Sequence, residues 1–499
     1  MADVVFYETS SQKKKLLSPG LFFWRRAVNE ETLIRLPKWV NTKTFSPIEG
    51  VSKKWDILVV SRLIPYYKNF TALGPLSHHP IMQGMKIDKE KADLFVEEVK
   101  SQSLLPEFKL SGETGLVPEA RGDIFDSPDK QTDLDGWGPF YKLNVQLVQP
   151  LLTFGRKSSA LAAAYRGTDL QYLKNNSEIE ELILNVINSY WALSAAKKAE
   201  SIAEDLKKNY DKMLKEVKER LESDDSEVDD TDCLEVKSNQ YHIEEIYIKS
   251  KSENNLAQKV FNAAIGRNLV EPVKIAEEKC PKIDLHENQI HILVKQTFPQ
   301  HMDTQRLKTT VKLFYEKKKL ANSQKNPFIY LVGGFGVAHA SHRQGQANPF
   351  AVDNFNYLDL GAFLGFQWDL NFFRKNFEAK RFQLDIESME KKLDLLRVKV
   401  ELEVVKAFAE VKKNATLLNH AQHSLKAAKN WLRLGMDNWD LGIGEVERLI
   451  KAYNAYYQMK GIVIKRTLEL NTSLANFAFI LGNTRLYLDW VKNGTVKVF

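Results

Sequence analysis

Histidines occur twice at a spacing of three residues, an arrangement from which a zinc site can be built. His339 and His342 lie three residues apart in a stretch that alternates like a strand, and His420 and His423 lie one turn apart on a predicted helix. A zinc ion needs a third or fourth ligand, and neither pair has another candidate ligand near it in the sequence. We therefore interpret all four as surface histidines and expect no metal, no cofactor and no enzymatic activity.

The remaining motifs are also poor candidates for catalysis. The glycine-rich stretch GGFG (333–336) is not followed by the Lys-Ser/Thr of a phosphate-binding loop, and its context is a strand. Glycines in such a strand ease curvature or side-chain crowding. The two cysteines, Cys233 and Cys280, have no metal-site spacing, and a disulfide framework is not expected from them.

Charge and hydropathy exclude two further classes of protein. The net charge of +7 is small for 499 residues, and basic and acidic residues are interleaved, so nothing indicates binding to nucleic acid. No apolar run approaches the roughly 18 residues of a membrane-spanning helix. Transmembrane strands remain possible, because they are short and apolar on one face only.

The chain repeats its own landmarks at a spacing of 216 to 221 residues. The matched pairs are Pro80 and Pro299, Pro106 and Pro327, Phe154 and Phe372, and Gly266 and Gly482. Four landmarks in the same order indicate two duplicated halves within one architecture, since the period is too long for a solenoid.

Each half contains a charged helical segment followed by a pair of strands. The helical segments cover about 84–103 and 302–322, and the strands about 108–116, 141–149, 328–340 and 356–370. Residues 141–147 and 358–370 alternate clearly, with apolar side chains such as Tyr141, Phe366 and Trp368 on one face. This period of two predicts strands with one apolar face.

A long helical hairpin follows each strand pair. Apolar residues from Ile179 to Val217 recur at intervals of three and four, which is typical of coiled-coil packing. We expect hairpins over about 158–266 and 376–482, turning at the charged stretch 222–232 and at 437–445, where Gly442 and Gly444 supply the turn.

Four strands cannot enclose a lumen, because even a small barrel needs about eight. Open strand edges are also not tolerated inside a membrane. The apolar-faced strands therefore predict that several chains share one barrel, while their helices form a tube below it. A trimer would supply twelve strands.

Several segments resemble the TolC family of outer-membrane efflux proteins, and in particular its deltaproteobacterial-type members. They are QPLLTFGR (149–156), TDCLEVKSNQ (231–240), LANFAFILGN (474–483), and the stretch from SHHPIMQG (77–84) to LLPEFKLSG (104–112). The resemblance covers about 70–490. It implies a mainly α-helical fold with a β-barrel part: a trimeric, twelve-stranded barrel in the outer membrane, continuous with an α-helical coiled-coil tunnel in the periplasm. It also implies a passive exit duct for efflux or type I secretion, with a periplasmic adaptor, an inner-membrane pump and outer-membrane lipid as partners.

The same resemblance places a narrow periplasmic entrance at the helical turns. Asp232 and Glu235 match the family's acidic pair, whereas the corresponding positions in the second copy are the cations Arg448 and Lys451, next to Glu445. We therefore expect an entrance of mixed charge, closed by ion pairs between neighbouring hairpins. The alternative is a solvated helix start at which Asp232 only complements the helix dipole.

The strand-to-helix junctions are the second set of candidates. Pro150 lacks an N–H and suits the exit of the strand, Gly155 permits the turn, and Arg156 would lie near the periplasmic face of the membrane. Phe372 and Arg374 are the counterparts of this junction in the second copy.

Domain boundaries follow from the repeat. We expect an N-terminal extension (1–65), a first repeat (66–268), an inter-repeat equatorial segment (269–298), a second repeat (299–485) and a C-terminal tail (486–499). Residues 13–24 place cations before a short apolar stretch, but Pro19 interrupts it and no clear signal peptide is visible.

A coiled-coil scaffold with β-hairpins and no conduit is the alternative function.

Overall fold

The computed structural model describes residues 5–7, 33–35, 76, 79–119, 136–223, 229–275, 280–343 and 353–496. The chain divides into two units, residues 1–56 and 57–499. In the first unit, strands β1 (Val5–Tyr7) and β2 (Leu33–Arg35) pair in parallel. The stretch 13–24, weighed above as a signal peptide, lies outside the described residues.

The second unit contains the same order of elements twice. The first set is α1 (Pro80–Leu104), β3 (Glu107–Val117), β4 (Gly138–Leu152), α2 (Arg156–Glu222) and α3 (Asp230–Ala264). Between the sets lie β5 (Lys282–Ile283) and α4 (Ile290–Gln300). The second set is α5 (Met302–Ser323), β6 (Phe328–Ala340), β7 (Tyr357–Gln367), α6 (Phe372–Asp440) and α7 (Val446–Ile480). The long helices α2 and α6 have 67 and 69 residues, and both return helices have 35.

Both return helices end in the same way, at the glycines that the repeat aligns. Gly266 and Gly482 adopt positive φ values of 72° and 84°. Behind them, the N–H of Arg267 donates to the Asn262 carbonyl and the N–H of Asn483 to the Ala478 carbonyl. These bonds define a Schellman motif at each helix end. The motif needs a left-handed residue, and glycine adopts a positive φ without a steric penalty because it has no Cβ.

The four longer strands form one antiparallel sheet in the order β3-β4-β6-β7. The pairing of β4 with β6 joins the two halves of the chain, with Leu143 opposite Val337. β4 is longer than the alternation predicts and includes Pro150. The neighbouring β3 begins at Glu107, which lies opposite Val148, so Pro150 has a neighbour only in β6, where a register shift follows it. A proline is tolerated at such a position because few ladder hydrogen bonds are lost there.

The strand expected over 356–370 is shorter in the structure, which is a correction to that prediction. β7 ends at Gln367, and α6 begins at Phe372 rather than near 376. The indole N–H of Trp368 donates to the Lys325 carbonyl over 2.8 Å, and the Asp369 carboxylate accepts from the Asn371 N–H over 3.0 Å. The second bond forms an Asx turn, which ends the strand and starts the helix.

The C-terminal residues are an ordered part of the core rather than the expected tail. They form α8 (Arg485–Asn493) and β8 (Thr495–Val496), and β8 pairs in parallel with β5. Tyr487, Trp490 and Val496 are buried. Tyr487 accepts a hydrogen bond from the indole of Trp191 in α2 and donates to Asn471 in α7 over 3.2 Å, so this region ties the two halves together.

The hydrophobic core forms two clusters. The larger combines α2 and α7 with α6, α4 and α8, around Ile183, Val400 and Leu474. The smaller lies near the turns of the hairpins. Within the described part of the chain, no helix has the length and apolarity needed to cross a membrane.

Candidate functional site

The two hairpin turns lie at the ends of helices that are packed against each other. The smaller core cluster, which we call the tip cluster, draws its buried side chains from α2, α3, α6 and α7. Its members are Leu206, Tyr210, Met213, Val217, Cys233, Val236, Ile243, Leu432, Trp439, Val446, Leu449, Ile450, Ala452, Tyr453 and Tyr457. The apolar spacing of the helices predicts such a cluster, since each hairpin alone leaves an apolar seam uncovered.

Tyrosine–asparagine hydrogen bonds join α2 to α7 inside this cluster. The Tyr210 hydroxyl donates to Asn454 Oδ1 over 3.0 Å, and Asn209 Nδ2 donates to the Tyr457 hydroxyl over 2.6 Å. Burial raises the pKa of Tyr210 and the pKa of Tyr457 to about 12. Both phenols are therefore neutral donors or acceptors throughout the physiological pH range. These residues were not predicted, and the tyrosine run in YNAYYQ (453–458) is their only signal in the sequence.

A cation fixes the end of α2 to the end of α6. The guanidinium of Arg220 donates to the Trp439 carbonyl over 2.9 Å and lies 4.0 Å from the centroid of the Trp439 ring. Trp439 is buried and Arg220 is half-buried. The two turns are thus held in a defined relation by a hydrogen bond and a cation–π contact from one side chain.

The acidic entrance candidates lie at the start of α3, where they belong to its cap. Asp229 is the N-cap residue and its side chain accepts from the Asp232 N–H over 3.0 Å, while the Asp232 carboxylate accepts from the Asp229 N–H over 3.1 Å. This capping box satisfies two free N–H groups at the helix start. Asp232 and Glu235 are both half-buried and lie one turn apart.

The entrance candidates of the second hairpin form ion pairs with one another and with Glu447 at the N-terminal end of α7. Arg448 forms an ion pair with Glu445 over 2.9 Å, and Lys451 forms one with Glu447. All four side chains are more than half exposed. In the described residues these two cations therefore contact carboxylates of the α7 start, and the expected pairing between neighbouring hairpins stays a prediction.

At the strand-to-helix junctions, two cations converge on one turn. Arg156, the first residue of α2, donates from its guanidinium to the carbonyls of Ser323, Gln324 and Asn326, which end α5 and lead into β6. Gly155, at φ 90°, precedes it and permits the abrupt change from strand to helix. The turn after α5 is thereby tied to the junction of the other half.

The counterpart of Arg156 in the second half is Lys375, not the expected Arg374. The Lys375 ammonium donates to the Gln324 carbonyl over 2.7 Å and forms an ion pair with Asp369 over 2.9 Å. Lys375 is buried, whereas Arg374 is exposed. Phe372 packs edge-on against Trp368 with 6.0 Å between ring centroids. Lys375 makes these contacts from the first turn of α6, whereas Arg156 is the first residue of α2.

One face of the sheet carries large apolar side chains that are exposed, and we call it the apolar face. Its large side chains are between 42 % and 80 % exposed. They include Phe108, Leu110, Leu116, Tyr141, Leu143, Leu358, Leu360, Leu364 and Phe366. Trp368, expected on the same face, instead lies beyond the end of β7 and is half exposed.

The opposite face of the sheet, the polar face, carries charged and small residues together with Phe363, which is 64% exposed. Lys142 pairs with Glu113 over 3.5 Å, and the Tyr357 hydroxyl donates to Asn144 Oδ1 over 3.1 Å. A Cβ on Gly336 would lie 2.9 Å from Asn144 Oδ1 and 3.0 Å from the Tyr357 ring. This glycine of the GGFG stretch therefore makes room for side chains on the polar face.

Of the histidine pairs, His339 lies in β6 opposite Tyr141, and His420 and His423 lie on α6. His339, His342, His420 and His423 are exposed. Among the described residues, no group of three or more His, Cys, Asp and Glu side chains is placed to hold a metal ion.

The paired strands and long helical hairpins are the fold of outer-membrane channels. Structures with this fold include the outer membrane protein VceC of Vibrio cholerae (12% identity, 82% of this chain and 94% of that chain, TM-score 0.61) and CusC (13% identity, 82% and 90%, TM-score 0.66). The outer membrane channel CmeC of Campylobacter jejuni also matches (13% identity, 85% and 88%, TM-score 0.63).

Residues 78–223 match the family model described as outer membrane efflux protein. This stretch includes α1, β3, β4 and α2 of the first repeat. No curated protein sequence matches the chain. The resemblance to the TolC family is thus confirmed by a family domain in the first repeat and by the fold of most of the chain.

Proposed function

We propose that this protein is a trimeric exit duct of the outer membrane, which passively conducts substrates delivered by an inner-membrane pump and a periplasmic adaptor. The observation that carries the proposal is the four-stranded sheet with an exposed apolar face and two unpaired edges. Exposure of such a face to water is unfavourable by roughly 25 cal/mol per Å², and contact with lipid removes that cost. The match to the efflux family model supports the conduit role.

The helices supply a second argument for several copies. Exposed apolar residues recur every seven positions on α3, at Leu234, Tyr241 and Ile248. On α6 they recur at intervals of three and four, at Leu395, Val398, Leu402 and Val405. Heptad-spaced apolar stripes of this kind are covered by another helix in coiled coils, and we assign them to contacts between copies that form the periplasmic tunnel.

The internal repeat indicates where a neighbouring copy packs. In the second half, α5 packs against both α2 and α6. Its counterpart α1 packs against α2 and leaves Ile87, Leu94 and Phe95 more than half exposed. Within the chain, α5 thus packs against two long helices and α1 against one. We assign the second helix beside α1 to α6 of a neighbouring copy.

Membrane fractionation and single-channel recording test this function. We expect the full-length protein in the outer-membrane fraction as a trimer that dissociates on heating in detergent, and we expect the purified trimer to conduct ions in a planar bilayer. A soluble monomer would exclude the duct and support the alternative scaffold. A membrane trimer without conductance would exclude the conduit but retain the assembly.

A further inference from the structure

A cavity of about 580 Å³, which we call the junction cavity, lies where the sheet meets the helices. Pro150, Phe328 and Gln367 line it from the ends of β4, β6 and β7. The adjoining ends of α1, α2, α5 and α6 supply the other walls. Its size lies within the range of about 300–1,000 Å³ that is typical of sites for small molecules.

The junction cavity lies on the polar side of the sheet. Phe328 and Gln367 are direct partners, and both are an even number of residues from the polar-face pair Gly336 and Asp359. Because successive side chains of a strand alternate between the two faces, Phe328 and Gln367 point to the polar face. In the proposed duct this face lines the lumen, since the apolar face is turned to lipid. The cavity is therefore reached from the lumen and not from the lipid.

Positive charge predominates in the cavity wall. Arg156, Lys157 and Lys375 are three cations among the described lining residues, against the single carboxylate of Asp369. Asp369 is compensated by Lys375, whose ammonium lies 2.9 Å from the carboxylate, and the hydrogen bond from Lys375 lowers the pKa of Asp369. The charges of Arg156 and Lys157 remain, so the cavity favours an anion.

Lys157 is the cation best placed to contact a ligand. It is half-buried, and its backbone N–H donates to the Thr153 hydroxyl. Its ammonium forms no hydrogen bond or ion pair with any residue that the structure describes. A partly buried charge without a partner is unfavourable, and a bound anion would remove that cost. Lys157 and Lys375 lie in the first turns of α2 and α6, so the positive ends of both helix dipoles also lie at the cavity.

Apolar side chains form much of the remaining wall. Val99, Pro150, Leu320 and Phe328 line the cavity and are all half-buried. The Phe328 ring stacks on Tyr330 with 5.3 Å between centroids, which fixes its position. An apolar wall with a few convergent charged groups is typical of sites for organic molecules. A small inorganic anion would leave this apolar surface in contact with water.

We propose that the junction cavity binds organic anions that carry an apolar body, with Lys157 contacting the anionic group. This inference rests on the proposed function, because it places the site in the lumen, where cargo passes from the tunnel into the barrel. Each copy of a trimer contributes one such cavity to the same lumen. Anionic amphipathic cargo is thereby retained at the junction in preference to cationic cargo of the same shape.

Calorimetry with a defined probe tests the site. Naphthalenesulfonate is titrated into the purified trimer in phosphatidylcholine nanodiscs, with empty discs as the blank. We expect saturable binding that is about tenfold weaker in Lys157→Gln and is retained in Lys157→Arg, because the ion-paired hydrogen bond is lost in the first variant only. The matched control is Lys109→Gln, which removes an exposed cation from β3, outside the cavity, and should leave the affinity unchanged.

Two further probes test the class of ligand. Naphthylmethylammonium has a similar apolar body with a positive charge, and methanesulfonate has the anionic group without the apolar body. Both should bind the wild type at least about tenfold more weakly than naphthalenesulfonate. Equal binding of the ammonium would overturn the preference for anions, and equal binding of methanesulfonate would overturn the need for an apolar body. Absence of saturable naphthalenesulfonate binding, or equal affinity in the wild type and Lys157→Gln, would overturn the site itself.

Single-channel recording separates this inference from the proposed function. In a planar bilayer, we expect naphthalenesulfonate to interrupt the ion current of the trimer, with interruptions about tenfold shorter in Lys157→Gln. Binding that depends on Lys157 without any interruption of the current would place the site outside the lumen and overturn the inference. A trimer that binds the probe but conducts no ions would count against the proposed function while the binding site stands.

Discussion

The Arg220 guanidinium and the Trp439 indole are in face contact, 4.0 Å from cation to ring centroid, at the ends of two helices from different halves of the chain. The same side chain donates to the Trp439 carbonyl. Together the two contacts make Arg220 the side chain that links the α2 and α6 ends most directly.

Arg220→Ala should therefore loosen the tip. A partly buried cation–π contact and a charge-assisted hydrogen bond together contribute about 1–3 kcal/mol. We expect amide exchange in the last turns of α2 and α6 to accelerate about tenfold or more, as measured by hydrogen exchange with mass spectrometry. The control is Lys218→Ala, which removes an exposed cation two residues earlier; equal acceleration in both variants would contradict the role of Arg220.

The junction cations give a second matched comparison. Arg156→Ala removes hydrogen bonds to three carbonyls of the turn after α5, and we expect the free energy of unfolding to fall by about 2 kcal/mol. Arg374→Ala removes an exposed cation and should change it by less than about 0.5 kcal/mol. Urea denaturation of the detergent-solubilised protein measures both. Arg156→Lys should not restore stability, because an ammonium cannot reproduce the planar fork.

The glycines that end the return helices should not tolerate a side chain. Gly266→Ala forces a Cβ to 2.9 Å from the His79 ring at a φ of 72°, and the left-handed conformation alone costs about 1–2 kcal/mol. We expect a lower melting temperature. Gly461→Ala, inside α7 with no atom within 4 Å of the new Cβ, should raise it, because alanine favours a helix by about 0.5–1 kcal/mol.

Alkaline pH should weaken the tip cluster. Burial raises the pKa of Tyr457 from 10.0 to about 12, so its stabilisation is complete below pH 10 and is lost as the pH rises from 10 toward 12. The full loss is about 2–3 kcal/mol. We expect the urea midpoint of the wild type to fall over this range, and the fall to be smaller in Tyr457→Phe. An identical pH dependence in the two proteins would contradict the burial of this hydroxyl.

The charge of the second hairpin should affect ion flow if the turns form the entrance. Arg448 is 77% exposed, so Arg448→Asp adds negative charge to the entrance without disturbing the core. We expect greater cation preference and altered conductance in a planar bilayer. Lys429→Asp makes the same charge change farther up α6 and should have a smaller effect. Unchanged selectivity and conductance for Arg448→Asp would refute the mixed-charge entrance.

Patterns that repeat along the chain made the main elements predictable. The period-two alternation of residues 141–147 indicated β4, and the three-and-four spacing from Ile179 indicated α2. The same spacing could not reveal the contact between Arg220 and Trp439, because the two residues lie 219 positions apart and neither belongs to a local motif.

The sequence pattern also could not predict which individual residue makes a given contact. The duplication aligned Arg156 with Arg374, but Lys375, the next residue along α6, contacts the turn after α5 instead. Likewise, residues 486–499 were assigned to a tail because the repeat ends at residue 485. Their burial depends on Trp191 and Asn471, which are distant in the sequence.

The pairing of β4 with β6 has a consequence for assembly kinetics. Two halves carried on separate chains would have to find each other by diffusion, whereas a covalent link holds them at a millimolar effective concentration. In a closed ring of three chains, half of the seams between repeat units would therefore form within a molecule. Only the seams between chains would depend on protein concentration, and the folded monomer, already carrying β4 and β6 in register, would be the kinetic unit of assembly.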